Sequence, residues 1–376
     1  MAGLLPNVDP EGLLEYSVVF TDRSLNHMSK SFQNVMIDIS NGLKKVYNAS
    51  SVIVIPGGGT FGMEAIARQF SSDKKCLIIR NGWFSYRWSQ ILETGRIASE
   101  TIVLKAQRDK KNSNSAFSPM PIDEIIRKIE LEKPDVVYAP HVETSAGMIL
   151  PDGHLKKIAD AVHSIDGIFV LDCVASGALW VDMKTVGIDV LLSAPQKGWS
   201  SSPCSGLVML SEKARDLIRT TKSTSFVCDL LKWLEVMEAY ESGGHAYHTT
   251  MPTDSLLNFR DTLIETEKYG FEKTRLEQIE LGQNVRLLLE SRGFNSVAEK
   301  PFQSPSVIVS YTDDPNIKNG KLFMQQGIQI AAGVPLECDE GANFMTFRIG
   351  LFGLDKLHNI DRTVQNLKLA LDKIYL

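Results

Sequence analysis

The sequence predicts an α/β protein whose main sheet is covered by helices on both faces. Short apolar runs rich in branched residues recur along the chain: Val52 to Ile55, Cys76 to Ile79, Thr101 to Leu104, Val136 to Ala139, Ile168 to Leu171 and Val190 to Leu192. Runs this short, without polar alternation, suit strands buried on both faces, and the helical patterns between them suit the connections of an α/β sheet. In Gly153 to His163, Leu155, Ile158, Ala159 and Val162 make a buried stripe, while Lys156, Lys157 and Asp160 face water. Gly206 to Leu210 reads as a further strand.

From about Asp254 the texture changes. A helical pattern runs from about Asn258 to Arg292 with a break near Gly270, Ser306 to Ser310 reads as a strand, and Ile360 to Ile374 is amphipathic. Val364, Leu367, Leu369, Leu371 and Ile374 are available for the buried face of that last segment. The 376 residues exceed what one core usually holds, roughly 250 to 300. The expected division is a large domain over 21–264 and a smaller C-terminal one over 265–376, with residues 1–20 against the small domain or a partner chain. The chain shows no repeat or low-complexity tract, and Asp109 to Ser118 is its most polar, loop-like section.

Composition removes several function classes. Forty basic against forty-five acidic residues give a net charge of -5 without a long block of either sign, which disfavours a nucleic-acid binder. The five cysteines are odd in number and lack CxxC spacing, arguing against a disulfide framework or zinc cluster and for a reducing compartment. No apolar run approaches the roughly 20 residues of a membrane span, and the first thirty residues lack a signal-like core. The expectation is a cytoplasmic, soluble protein.

Three local features carry chemistry. Pro56-Gly57-Gly58-Gly59-Thr60 follows a strand and precedes a helix containing Met63, Ile66, Ala67 and Phe70. Backbone N–H groups there, with the helix N-terminus, suit a phosphate, although the spacing is neither a P-loop nor GxGxxG, and a plain tight turn fits equally. Asp172 closes a strand where open α/β sheets bind ligands, and it suits either a protonated ring nitrogen or a turn cap. Lys197 follows the apolar run Leu191-Leu192. A lysine partly withdrawn from water becomes a nucleophile able to form a Schiff base, whereas most lysines are solvated surface groups. Ser193, Gln196 and Ser200 to Ser202 offer it hydrogen bonds, while Gly198 and Gly206 permit close backbone approach.

Taken in order, Gly57-Gly58-Gly59-Thr60, Asn81-Gly82-Trp83-Phe84, His141-Val142-Glu143-Thr144-Ser145-Ala146-Gly147, Asp172-Cys173-Val174-Ala175-Ser176, Ser193-Ala194-Pro195-Gln196-Lys197 and Arg348-Ile349-Gly350 resemble the class V aminotransferases. Within that class the set is most similar to the alanine–glyoxylate and serine–pyruvate enzymes, over nearly all of residues 17–372. The resemblance implies fold type I: a large domain with a mostly parallel seven-stranded sheet, and a smaller α+β C-terminal domain.

The same resemblance implies pyridoxal 5'-phosphate as cofactor, with Lys197 forming the Schiff base and carrying the proton, and Asp172 on the ring nitrogen. Gly58, Gly59, Thr60 and Gln196 match phosphate contacts. Phe84 matches the ring-stacking aromatic, where the alanine–glyoxylate enzymes often have tryptophan; phenylalanine stacks without supplying an indole N–H. Val174 matches the residue on the opposite ring face, and Thr144 the hydroxyl near the phenolic oxygen. Tyr247 and Thr250 match residues that reach the partner subunit's phosphate, so a homodimer is implied; by themselves they read as a loop aromatic and a helix cap. Arg348 matches the arginine that takes the substrate α-carboxylate through a bidentate fork. By itself it reads as a surface charge sheltered between Phe347 and Ile349.

The implied reaction transfers an amino group from serine or alanine to pyruvate or glyoxylate, in two alternating half-reactions, with no nucleic-acid, membrane or metal partner. One departure weakens the substrate assignment: Tyr16 to His27 replaces the Gly-Pro-Gly-Pro run usual in the alanine–glyoxylate relatives. Arg23 and Arg87 are candidates for an acidic substituent, or for structural ion pairs. The rivals are a 2-aminoethylphosphonate aminotransferase and a non-catalytic binding protein of the same fold. Cysteine desulfurase chemistry is disfavoured, because Cys338 lies too close to Arg348 to be a mobile nucleophile well ahead of it.

Overall fold

The computed structural model describes residues 8–109 and 114–374; residues 110–113 of the polar section expected as a loop, and residues 1–7, lie outside them. Each apolar run becomes a strand: β1 Ser51–Pro56, β2 Lys75–Arg80, β3 Glu100–Lys105 and β4 Val136–Pro140. A short ladder of β5 Val142–Glu143 and β6 Met148–Ile149 follows, then β7 Ile168–Asp172, β8 Val190–Ser193 and β9 Ser205–Leu210. Seven of these form one sheet in the order β1-β9-β8-β7-β4-β2-β3. Only β9 runs against its neighbours. The strands therefore end together along one edge, and the loops leaving that edge meet over it.

Helices cover the sheet, among them α1 Lys30–Tyr47, α2 Gly59–Phe70, α3 Trp83–Thr94, α4 Ile122–Glu132 and α5 Asp152–Ser164. Met63, Ile66, Ala67 and Phe70 of α2 are all buried, as are Leu155, Ile158, Ala159 and Val162 of α5. One hydrophobic core runs from Leu25 to Leu263. A second joins Leu281 to Leu371, and a third, with Phe117, Val142, Val297 and Val309, lies between the two. The smaller C-terminal domain has a three-stranded antiparallel sheet, β10 Val307–Tyr311, β12 Thr346–Gly350 and β11 Ala331–Ala332, with β12 in the middle.

The helical pattern near Gly270 is two helices, Thr253–Tyr269 and Phe271–Ser291, which meet where Gly270 takes φ +108°. In the last helix, Ile360–Ile374, Leu367, Ala370 and Leu371 are buried, whereas Leu369 is exposed. Two residues past Leu367 is a rotation of roughly 200°, so Leu369 cannot share its face. The described contacts of the N-terminal segment run to the large domain. Asn26 Nδ2 donates to Glu15 at 2.6 Å and to Ser17 at 3.1 Å, and Leu25 N donates to Asp254 at 2.9 Å.

Candidate active site

The carboxyl-end loops of the sheet build a cleft of about 220 Å³. Gly59, Thr60, Phe84, Thr144, Asp172, Val174, Gln196 and Lys197 all line it, together with Arg87. Gly58 caps α2 from just outside, in extended conformation, and accepts from Phe61 N and Gly62 N at 3.0 and 3.2 Å. A larger hollow of about 920 Å³ lies under the N-terminal segment, lined by residues such as Asp9, Glu15 and Asn34. It holds none of the predicted site residues, so the smaller cleft is the candidate site.

Asp172 is the last residue of β7, and its buried carboxylate accepts from Val174 N at 2.9 Å. The turn-cap reading of this residue is therefore realised, and its carboxylate also borders the cleft. Burial pushes its carboxyl up to about 6, with Glu143 adding to the rise; the Val174 N–H and Arg87 oppose it. Lys197 lies in the loop between β8 and β9, and its amine is 5.2 Å from the Phe352 ring centroid. Burial, then the positive charge of Arg348, lowers its pKa. The serines expected around it are engaged elsewhere: Ser200 accepts from Leu354 N, Ser201 donates to Asn258, and Ser193 takes the Tyr47 hydroxyl at 3.4 Å. Gly198 does permit close approach. A Cβ there would stand 2.1 Å from the Gly177 carbonyl oxygen, so the lysine loop and the loop after Asp172 pack backbone against backbone.

Arg348 reaches toward the cleft from the middle strand of the small domain, its guanidinium 5.6 Å from the Phe84 ring centroid. Nε donates to Ala332 O at 2.8 Å, and among the described residues the two Nη atoms have no hydrogen bond or ion pair. Arg348 is thus half-buried, as its apolar neighbours implied, with its fork available. Tyr247 and Thr250 are exposed, hydrogen-bonded to each other at 3.1 Å, and line no part of this chain's cleft. Arg23 is exposed and also outside it. Cys338 is buried with its thiol pushed up to about 12 by burial, which suits an inert side chain.

Glu143, within the His141 to Gly147 motif, does not line the cleft but stands behind Phe84. Fully buried, it accepts from Phe84 N at 3.1 Å and Ser85 N at 2.9 Å, in the first turn of α3. It also accepts from the hydroxyls of Ser85 and Ser145, each at 2.7 Å, and from Ser145 N at 3.1 Å. A carboxylate at a helix N-terminus is stabilised by the orphan N–H groups it satisfies. Glu143 therefore fixes the turn that presents Phe84. Its partners on α3 are distant in sequence, so no local pattern disclosed them.

The residues fit pyridoxal phosphate on an observation independent of resemblance: the Gln196 amide has its Oε1 buried in the cleft wall without a hydrogen-bond partner, and turned end for end the same amide presents its NH2 donors there to a phosphate. Buried polar atoms seldom remain unpaired unless a ligand or water completes them. A deprotonation-prone lysine, a buried carboxylate, an aromatic face and a glycine turn border the same space.

The sequence profile of the Aminotransferase class-V family matches residues 13–349. The chain belongs to the class V aminotransferases. Alanine–glyoxylate aminotransferase of Felis catus is 26% identical over 363 residues, covering 93% of this chain and 82% of that protein. Among solved structures, an alanine–glyoxylate aminotransferase from Nostoc sp. superposes with TM-score 0.77 at 20% identity, over 92% of this chain and 89% of the other. A ureidoglycine–glyoxylate aminotransferase from Bacillus subtilis gives 0.76 at 23% identity, over 92% and 86%. The fold is type I, as the class V motifs implied, and the cofactor of the family is pyridoxal phosphate.

Proposed function

We propose that this protein moves an amino group between a small amino acid, serine or alanine, and a 2-oxo acid, pyruvate or glyoxylate, in two alternating half-reactions. The observation that carries this reading is that Lys197 and Asp172, from two strand-end loops, line one cleft, while Arg348 of the small domain stands beside it, 5.6 Å from the Phe84 ring in its wall. The similarity to alanine–glyoxylate enzymes supports the substrate class.

Pyridoxal phosphate, when bound, supplies a carbonyl that condenses with amines and a ring that accepts the electrons left on the α carbon. Lys197 Nζ, its pKa lowered by burial and by Arg348, would hold the cofactor and serve as the base for the donor's α proton. Asp172 would accept from the ring N–H of a bound cofactor; in the chain itself burial raises its carboxyl, and the Val174 N–H and Arg87 oppose that rise. Phe84 and Val174 would enclose the ring, Gly58, Gly59, Thr60 and Gln196 would hold the phosphate, and Thr144 would lie near the phenolic oxygen. Arg348 takes the substrate α-carboxylate with the Nη atoms that Ala332 leaves free.

The working unit in this reading is a cytoplasmic homodimer in which Tyr247 and Thr250 complete the partner's phosphate site. Their exposure supports it, as does the neighbouring apolar surface: Tyr247 packs on His27 at 5.5 Å, and exposed Phe226 packs on His248 at 4.8 Å. All five cysteines are unpaired. Within the chain, 1–20, 21–264 and 265–376 remain the proposed divisions. The deciding experiment mixes the cofactor-loaded protein with one amine at a time and follows the cofactor spectrum. Serine or alanine should convert it without any oxo acid present. Conversion by 2-aminoethylphosphonate alone would transfer the activity to that amine, and conversion by none would leave a binding protein of this fold.

A further inference from the structure

We propose that Arg87 is a ligand of the cofactor phosphate, supplied from within the same chain. The inference rests on the pyridoxal-phosphate reading above and adds to it a charged residue that neither the glycine turn nor Gln196 provides.

Arg87 lies one helical turn beyond Phe84 on α3, and its guanidinium stands 5.1 Å from the Phe84 ring centroid. Nη1 donates to Thr60 Oγ1 at 3.0 Å. Thr60 is the second residue of α2, so this bond carries the guanidinium from the stacking residue to the phosphate turn. Among the described residues Arg87 has no carboxylate within 4.0 Å, unlike Arg68, Arg215, Arg219, Arg260, Arg275 and Arg292, each of which is ion-paired. The structural ion-pair alternative for Arg87 is therefore not realised.

Asp172 lies near enough to feel the Arg87 charge but is not ion-paired with it, so the guanidinium borders the cleft without a contacting carboxylate. The charged residues lining the cleft are Arg87, Asp172 and Lys197. Lys197 gives up its free ammonium to hold the cofactor, and Arg348 is kept for the substrate carboxylate. A phosphate monoester carries about -1.5 to -2 at neutral pH. Backbone N–H groups and neutral hydroxyls offer only partial charges against it, beside a buried Asp172 and Glu143 of the same sign. The planar guanidinium of Arg87 can keep one N–H on Thr60 and offer others to a phosphate oxygen. The same chemistry would suit a phosphonate or second carboxylate on a substrate, and the experiment separates these sources.

Cofactor-free full-length protein, Arg87→Gln and Arg87→Lys are titrated with pyridoxal 5'-phosphate and, separately, with pyridoxal, by equilibrium dialysis. Arg87→Gln should weaken pyridoxal phosphate by about tenfold or more while leaving pyridoxal within about twofold, and Arg87→Lys should fall between. Inorganic phosphate should compete with the cofactor less well in Arg87→Gln than in the parent. An unchanged ratio of the two affinities overturns the proposal, including the case in which only the KM for 2-aminoethylphosphonate or a dicarboxylic donor rises, which assigns Arg87 to substrate. If Arg87→Gln fails to fold, the ratio in Arg87→Lys decides. A parent protein that bound neither compound would instead break the cofactor reading on which this rests.

Discussion

At the cleft, Asp172 ends a strand whose neighbours on both sides are hydrogen-bonded, and Glu143 is fully buried with five acceptor contacts. From residue 8, where the described N-terminal segment begins, the backbone has neither helix nor strand before Lys30, and Leu13, Tyr16 and Val18 stand 89%, 89% and 102% exposed. The two regions differ in what fixes them. Cleft residues inherit their positions from a sheet that has to form for the protein to fold at all. Residues 13–18 have no such obligation, and the departure from the Gly-Pro-Gly-Pro pattern falls beside them. Chemistry is thus tied to the fold, whereas surroundings free to vary without unfolding the chain are where selectivity can drift.

The largest effect belongs to Lys197→Ala, which should abolish the Schiff-base absorption of bound cofactor and nearly all turnover; retention of both would detach Lys197 from the mechanism. Asp172→Asn sharpens the same side of the comparison through stability. The folded carboxyl sits at about 6 against 3.8 for an ordinary aspartate, so protonation favours the folded state and that advantage is lost as pH rises through about 6. Cofactor-free Asp172→Asn should therefore gain on the parent by on the order of 3 kcal/mol between about pH 4 and pH 7 in urea denaturation. An equal gap at both pH values would mean that the carboxylate is not desolvated. Arg348→Lys should lower kcat/KM for amino and oxo acids by tenfold or more, because a point charge cannot reproduce the fork. Single-turnover rates equal to the parent's would remove Arg348 from substrate binding.

Smallest on stability should be Tyr16→Ser with Val18→Ser, within about 0.5 kcal/mol for a single chain, since neither side chain is buried there. The pair should instead lower the dimer fraction in analytical ultracentrifugation. A large loss of monomer stability would erase the contrast between the two regions.

What could be read from the sequence follows the same division. The seven main strands were visible as short apolar runs, six of them buried, with antiparallel β9 among these and the edge strand β3 only partly buried, and their observed ends extend the runs by only a residue or so. Lys197, Asp172 and the glycine turn were visible because each sits at a strand end or helix start that such runs mark. The two-residue ladder of Val142–Glu143 with Met148–Ile149 is too short for periodicity to register. Glu143 and the Arg87 to Thr60 bond escaped because their partners come from other strands' loops. Leu369 was misassigned by counting apolar identity instead of helical angle.

The sheet order also sets a timetable. β1, which delivers the chain to the glycine turn, lies at the sheet edge and pairs only with β9, so Ile55 waits for Gly206 before its strand has a neighbour. On a chain emerging from the ribosome, the phosphate turn is among the first site elements made and among the last to be held in place. A contact of such long sequence separation is slow to close. Until residue 210 has emerged, β1 has no strand beside it and the glycine turn at its end is without that support, so the proposed phosphate site is complete only with the large domain.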